Sequence, residues 1–116
     1  MTTIQTSTID LPHGIQLNCR VSGPETGPVL VFLHGFPQAA FVWDELLAHF
    51  GRWGYRCVAP NLRGYGGSSA PPAAEAYKAT AICQDITALL EVLSPQAPIA
   101  ALVAHDWGGA IAWNVA

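Results

Sequence analysis

The stretch Leu102-Val103-Ala104-His105-Asp106-Trp107-Gly108-Gly109 decides how this 116-residue chain is read. Its first half closes an apolar run, Ile99 to Val103, which lacks the alternation of a half-exposed strand and so predicts a strand buried on both faces. Its second half leads into Gly109-Ala110-Ile111-Ala112-Trp113, which reads as the start of a helix. Between the two, small residues at 104 and 108 flank Asp106 in the small-x-nucleophile-x-small order of a strand-to-helix elbow. In so tight a turn, larger flanking side chains would strike neighbouring backbone. The middle residue is held out at the carboxyl edge of the sheet, beside helix N–H groups that favour negative charge. Asp is also a preferred helix N-cap, so this segment alone leaves open whether Asp106 is a nucleophile or only a cap.

Upstream of this stretch the same alternation of elements recurs. Val29 to Leu33 is another unbroken apolar run, and Trp43, Leu46, Leu47 and Phe50 follow at helical spacing. Tyr55 to Ala59 predicts a short strand stopped by Pro60, and Ile82, Ile86, Leu89, Leu90 and Leu93 form a second helical stripe ended by Ser94-Pro95. At the start, Thr3 to Ile9 is β-branched, and Ile15 to Val21 alternates apolar and polar residues. Pro12-His13-Gly14 between them predicts an antiparallel hairpin. The order is a hairpin followed by β-α-β-α-β-α, which implies an α/β fold: three parallel strands beside the hairpin, with helices on both faces. The chain stops at Ala116 inside the last predicted helix, without a C-cap signal, so residues 1–116 are expected to be the N-terminal part of a longer core domain.

Composition removes several classes of function. Charged residues make up 11% of the chain, against about 25% in an average globular protein, which excludes a disordered charged tail. Five Lys and Arg against eight Asp and Glu, with no basic run, argue against nucleic acid as a partner. No apolar run approaches the roughly 18 residues of a membrane span. Met1 to Asp10 has no Lys or Arg and no signal-peptide character. Cys19, Cys57 and Cys83 are widely spaced without a CxxC pair, which predicts reduced, mostly buried thiols in a cytoplasmic protein. Trp43, Trp53 and Trp113 are expected in core packing, while His13 and His49 are expected to be solvated rather than catalytic.

Two further segments bear on Asp106. Phe32-Leu33-His34-Gly35-Phe36-Pro37 leaves the first buried strand, where a backbone N–H of Phe36 can join that of Trp107 in an oxyanion hole. Arg63-Gly64-Tyr65-Gly66-Gly67-Ser68-Ser69 follows the second; it lacks both GxGxxG spacing and a Walker lysine, so it reads as a structural turn rather than a phosphate loop. Taken together, His34-Gly35-Phe36-Pro37, Arg63-Gly64-Tyr65-Gly66 with Ser68-Ser69-Ala70-Pro71, and His105-Asp106-Trp107-Gly108-Gly109 resemble the α/β-hydrolase superfamily. Within it they resemble the branch with an aspartate nucleophile, the epoxide hydrolases and haloalkane dehalogenases, and look most like the former. Ala104 departs from the family's usual Gly but remains small.

The resemblance implies Asp106 as nucleophile, the Phe36 and Trp107 N–H groups as oxyanion hole, and His34, Gly35 and Pro37 as loop support. It implies neither metal nor organic cofactor. A carboxylate suits attack at saturated carbon, because the resulting ester can be cleaved by water where a serine ether cannot. Small apolar epoxides or alkyl halides are therefore the expected substrates. Many dehalogenases hold halide with the Trp after the nucleophile and an Asn in the glycine loop. Here Trp107 is present but the loop position is Phe36, which favours epoxides. The family's histidine base, its acid partner and the cap residues are expected beyond Ala116. The alternatives are a dehalogenase and a truncated, non-catalytic fragment, whose unpaired last strand would invite a homodimer.

Overall fold

The computed structural model describes residues 3–35 and 38–115. Its strands are β1 (Gln5–Asp10), β2 (Gln16–Ser22), β3 (Val29–Leu33), β4 (Arg56–Pro60) and β5 (Ala101–Ala104). Its helices are α1 (Asp44–Arg52), α2 (Ala79–Leu93) and α3 (Trp107–Val115), with 3-10 turns at Ala40–Trp43 and Ala74–Tyr77. One sheet runs in the order β1-β2-β4-β3-β5. The hairpin β1–β2 is antiparallel and β2 joins β4 antiparallel, whereas β3 pairs parallel with both β4 and β5. This is the predicted α/β architecture, hairpin and three parallel strands included.

Every residue of β3 is buried, as its unbroken apolar run requires. Alternate β3 side chains divide between two cores. Val29, Val31 and Leu33 join Val58, Leu17, Cys19 and the Ile82, Ile86, Leu89 stripe of α2, together with Ile111 of α3. Leu30 and Phe32 meet Leu47, Cys57 and Ala59 on the α1 side, where the rings of Phe32 and Trp43 lie 5.4 Å apart. Because β4 and β5 lie on opposite sides of β3, the chain reverses its direction of travel across the sheet at β3. Ligands of open α/β sheets bind at such a switch point, beyond the carboxyl ends of the strands.

Several expectations need correction. The last strand begins at Ala101 rather than Ile99, because its register pairs Leu30 with Ala101. It is also not fully buried: Ala101 is exposed and the rest half-buried, since β5 is an edge strand with β3 as its neighbour in the sheet. Helix α3 starts two residues earlier than expected, at Trp107. Leu46 points outward although it has helical spacing with the core residues Trp43, Leu47 and Phe50. Trp53 and Trp113 are exposed, at 73% and 84%. Trp53 follows the end of α1 beside His49, and Trp113 lies two residues past buried Ile111, about 200° around the helix.

The thiols are free, with Cys19 and Cys57 buried and Cys83 half-buried. Burial pushes the Cys19 thiol up to about 12. In the folded chain a disulfide-exchange reagent is expected to modify Cys83 first, and Cys19 and Cys57 only at the rate of unfolding. Cys19 modification as fast as that of Cys83, read by peptide mass, would contradict this packing.

Candidate active site

The carboxyl ends of β3 and β5 lie side by side, and the loops that leave them make the site. At the end of β5 the chain turns through His105 and Asp106 into α3. Asp106 has φ +57°, the only described non-glycine residue with positive φ. Left-handed backbone is uncommon outside glycine, and Asp and Asn tolerate it better than most residues. An ordinary N-cap residue has extended backbone. Asp106 does accept helix N–H groups through its carbonyl, at 2.9 Å from Gly109 and 3.3 Å from Ala110. It therefore begins the helix with its backbone, in a conformation that capping alone does not call for. Its residue surface is exposed, as is that of His105.

The small residues around Asp106 are required by close approach. A Cβ on Gly108 would lie 2.5 Å from the Leu33 carbonyl oxygen and 2.7 Å from that of His34. A Cβ on Gly35 would lie 2.6 Å from the Asp106 Cβ and 3.0 Å from its Oδ2. The loop after β3 thus passes directly against the aspartate. Phe36 and Pro37, expected in the oxyanion hole and its support, lie outside the described residues. Trp107 opens α3 half-buried against the α2-side core.

His34, expected to brace this loop, is hydrogen-bonded through both ring nitrogens. The Leu62 N–H donates to Nε2 at 3.0 Å, so Nδ1 carries the proton and donates to the Gly35 carbonyl at 2.9 Å. The ring is buried and meets Tyr65 edge-on, with centroids 4.9 Å apart. Burial lowers the His34 pKa, and the Gly35 hydrogen bond opposes that only in part. With a folded pKa below the unfolded one, neutral His34 contributes its full stability above about pH 6.5, and that contribution is lost as pH falls below it. We expect the urea midpoint to fall from pH 6.5 to pH 5, with a His34 share of at most about 1.4 kcal/mol per pH unit. His34→Gln should flatten this share; an unchanged pH slope in that variant would count against it.

The glycine-rich loop is a structural turn, as expected. Gly64, Gly66 and Gly67 all have positive φ. The Ser68 hydroxyl donates to the Asn61 carbonyl at 2.5 Å and accepts from the Asn18 N–H at 2.9 Å, tying the loop to β2. Asn61 also accepts from the Ala40 N–H at 2.8 Å. This loop carries Tyr65 and Arg63 to a cleft of about 620 Å³ in front of Asp106, whose other walls are Tyr77, Ile82, Trp107 and Ala110.

Sequence reasoning missed the contacts behind that cleft. Arg63 makes a two-pronged pair with Asp85 of α2, Nε to Oδ2 at 2.7 Å and Nη2 to Oδ1 at 2.6 Å. His13, expected to be solvated, places Nε2 2.8 Å from the same Oδ1, with its side chain 24% exposed. Asp85 sits one residue before Ile86 on the α2 stripe, so an acid in the middle of that apolar face was the available signal. Its partners lie 22 and 72 residues away and cannot be read from spacing.

An aspartate in left-handed backbone thus stands at a strand-to-helix turn, faced by a glycine loop from the neighbouring parallel strand. Residues 28–116 match the alpha/beta hydrolase fold family, and the chain belongs to it. It is 40% identical over 97 residues to epoxide hydrolase 2 of Siraitia grosvenorii, covering 84% of this chain and 30% of that protein. It is 42% identical over 103 residues to epoxide hydrolase 3 of Xenopus tropicalis, covering 89% and 27% respectively. The crystal structure of an epoxide hydrolase from Vigna radiata superposes with a TM-score of 0.88 at 38% identity, over 97% of this chain and 35% of that one. The chain thus spans about a third of the length of the proteins it resembles.

Proposed function

We propose that this chain carries the nucleophile of an epoxide hydrolase, in which Asp106 opens a small apolar epoxide by way of a covalent ester. The observation that supports it most is the pairing of positive φ at Asp106 with the close approach of Gly35 to its carboxylate. In this reading an Asp106 carboxylate oxygen attacks an epoxide carbon, and the carbon–oxygen bond of the ring breaks. The released alkoxide takes a proton from a general acid. Water, deprotonated by a histidine base, then attacks the ester carbonyl, and the N–H groups of Trp107 and Phe36 hold the oxyanion. Collapse of that intermediate releases a vicinal diol and restores the carboxylate. Residues 1–116 are read as the N-terminal part of the core domain, with the base, its acid partner and the cap in the remainder of the protein. Free thiols at 19, 57 and 83 fit a cytoplasmic setting.

On this reading the 116-residue chain forms the ester but does not hydrolyse it. Incubated with a small reactive epoxide, it should gain one adduct equal to the full mass of the reagent, on the peptide containing Asp106, removable by hydroxylamine. An alkyl halide would leave its carbon skeleton without the halide, and faster labelling by the halide would favour the dehalogenase reading. Absence of any adduct overturns the assignment. Diol released beyond one equivalent would overturn the placement of the base outside this chain.

A further inference from the structure

The Asp85–Arg63 pair is 1% and 7% exposed, and the chemistry proposed above does not use it. Stability alone does not account for such a pair, because well-packed apolar residues of similar volume serve as well or better. Its directional bonds give it a different capacity. Arg63 spends two nitrogens on Asp85, and its third, Nη1, donates to the Ala76 carbonyl at 2.7 Å. The guanidinium is a planar fork, so three bonds to two elements fix its position and orientation. The Oδ1 of Asp85 is shared with Nε2 of His13, from the β1–β2 turn, at 2.8 Å.

Each element gathered on this fork supplies a wall of the Asp106 cleft. The loop of Arg63 itself carries Tyr65, the turn of Ala76 carries Tyr77, and the helix of Asp85 carries Ile82. Tyr77 is located further by its hydroxyl, which donates to the Pro71 carbonyl at 2.7 Å, and by its ring, which packs so closely on Gly64 that a Cβ there would sit 2.8 Å from Cε1. We propose that Arg63, clamped by Asp85, is a positioning residue that sets the spacing of Tyr65, Tyr77 and Ile82, and so fixes the fit of an aryl substituent beside Asp106. This rests on the cleft being the substrate site; it does not require that Asp106 be the nucleophile.

The test compares the binding of 1-phenyl-1,2-ethanediol, an unreactive aryl diol, with the rate of Asp106 alkylation by ethylene oxide, which is too small to touch the walls. The double variant R63M/D85L removes both charges together, leaving no unpaired ion. It is expected to keep a cooperative melt, and to raise the dissociation constant for the aryl diol about tenfold, well beyond any change in the ethylene oxide rate. Arg63→Lys keeps the charge opposite Asp85 but cannot also reach Ala76, and the same rise is expected. An aryl dissociation constant equal to wild type in either folded variant overturns the proposal. So does loss of the fold in both, which would make the pair a support of the fold and not of the cleft. Failure of the wild-type chain to bind the aryl diol overturns it too. Aryl binding without alkylation instead removes the nucleophile reading and leaves this one to be judged on the diol.

Discussion

Asp106→Asn should abolish labelling by a reactive epoxide while leaving the fold intact. Asparagine is the best available substitute because it shares with aspartate a tolerance of left-handed backbone, and φ at this position is +57°. Alanine would add backbone strain and confuse loss of the nucleophile with loss of the turn. The amide keeps the shape but has no anionic oxygen to attack carbon, so the alkylation rate should fall by about 10⁴-fold or more, in the range seen when a covalent nucleophile is removed. The melting temperature should move by less than about 4 °C, equivalent to about 1 kcal/mol in a chain of this size. Intact mass against time, with melting in parallel, reads both. Labelling at the wild-type rate would show the adduct to be on another group, and Asp106 would then be only the start of α3.

The second large effect contrasts two adjacent glycines. Gly108→Ala places a Cβ 2.5 Å from the Leu33 carbonyl and 2.7 Å from that of His34. Both are backbone atoms of the central strand and its exit, so they cannot swing aside as a flexible side chain can. Over-packing of this kind costs about 1–3 kcal/mol, or roughly 4–12 °C in melting temperature. It also forces α3 away from β3, so Asp106 and Gly35 separate and epoxide labelling slows. A Cβ on Gly109, by contrast, meets nothing within 4 Å. Gly109→Ala removes chain entropy from a helical position and should stabilise by up to about 1 kcal/mol. Equal effects in the two variants, by urea denaturation, would refute the close packing of the elbow against β3.

The fold was legible because its signals are local and redundant. The unbroken apolar runs at 29–33 and 99–103, the period-two pattern at 15–21 and the stripe from Ile82 to Leu93 each specify an element by local pattern alone. Legibility failed where burial depends on neighbours distant in sequence. Nothing within the segment Ile99–Val103 says that its strand lies at the edge of the sheet, and nothing near Trp113 says that its face of α3 is left outside the core. Asp106 could be singled out because the tight turn constrains residues only two positions away.

The parts of the candidate site could thus be named from sequence: a carboxylate in a strand-to-helix turn, small residues on either side, and a glycine loop after the central strand. Tertiary structure alone decided their surroundings. It brought Gly35 against Asp106 across the β3–β5 pairing, and it gave His34 one protonation pattern by setting Leu62 and Gly35 at its two nitrogens. It also drew Arg63 and Asp85 into one buried pair, with the exposed His13 reaching the same carboxylate. Turn geometry acts between neighbours in the chain and leaves its mark on spacing. The hydrogen bonds of a buried charge link groups far apart in sequence, and form only once hydrophobic burial has brought their elements together.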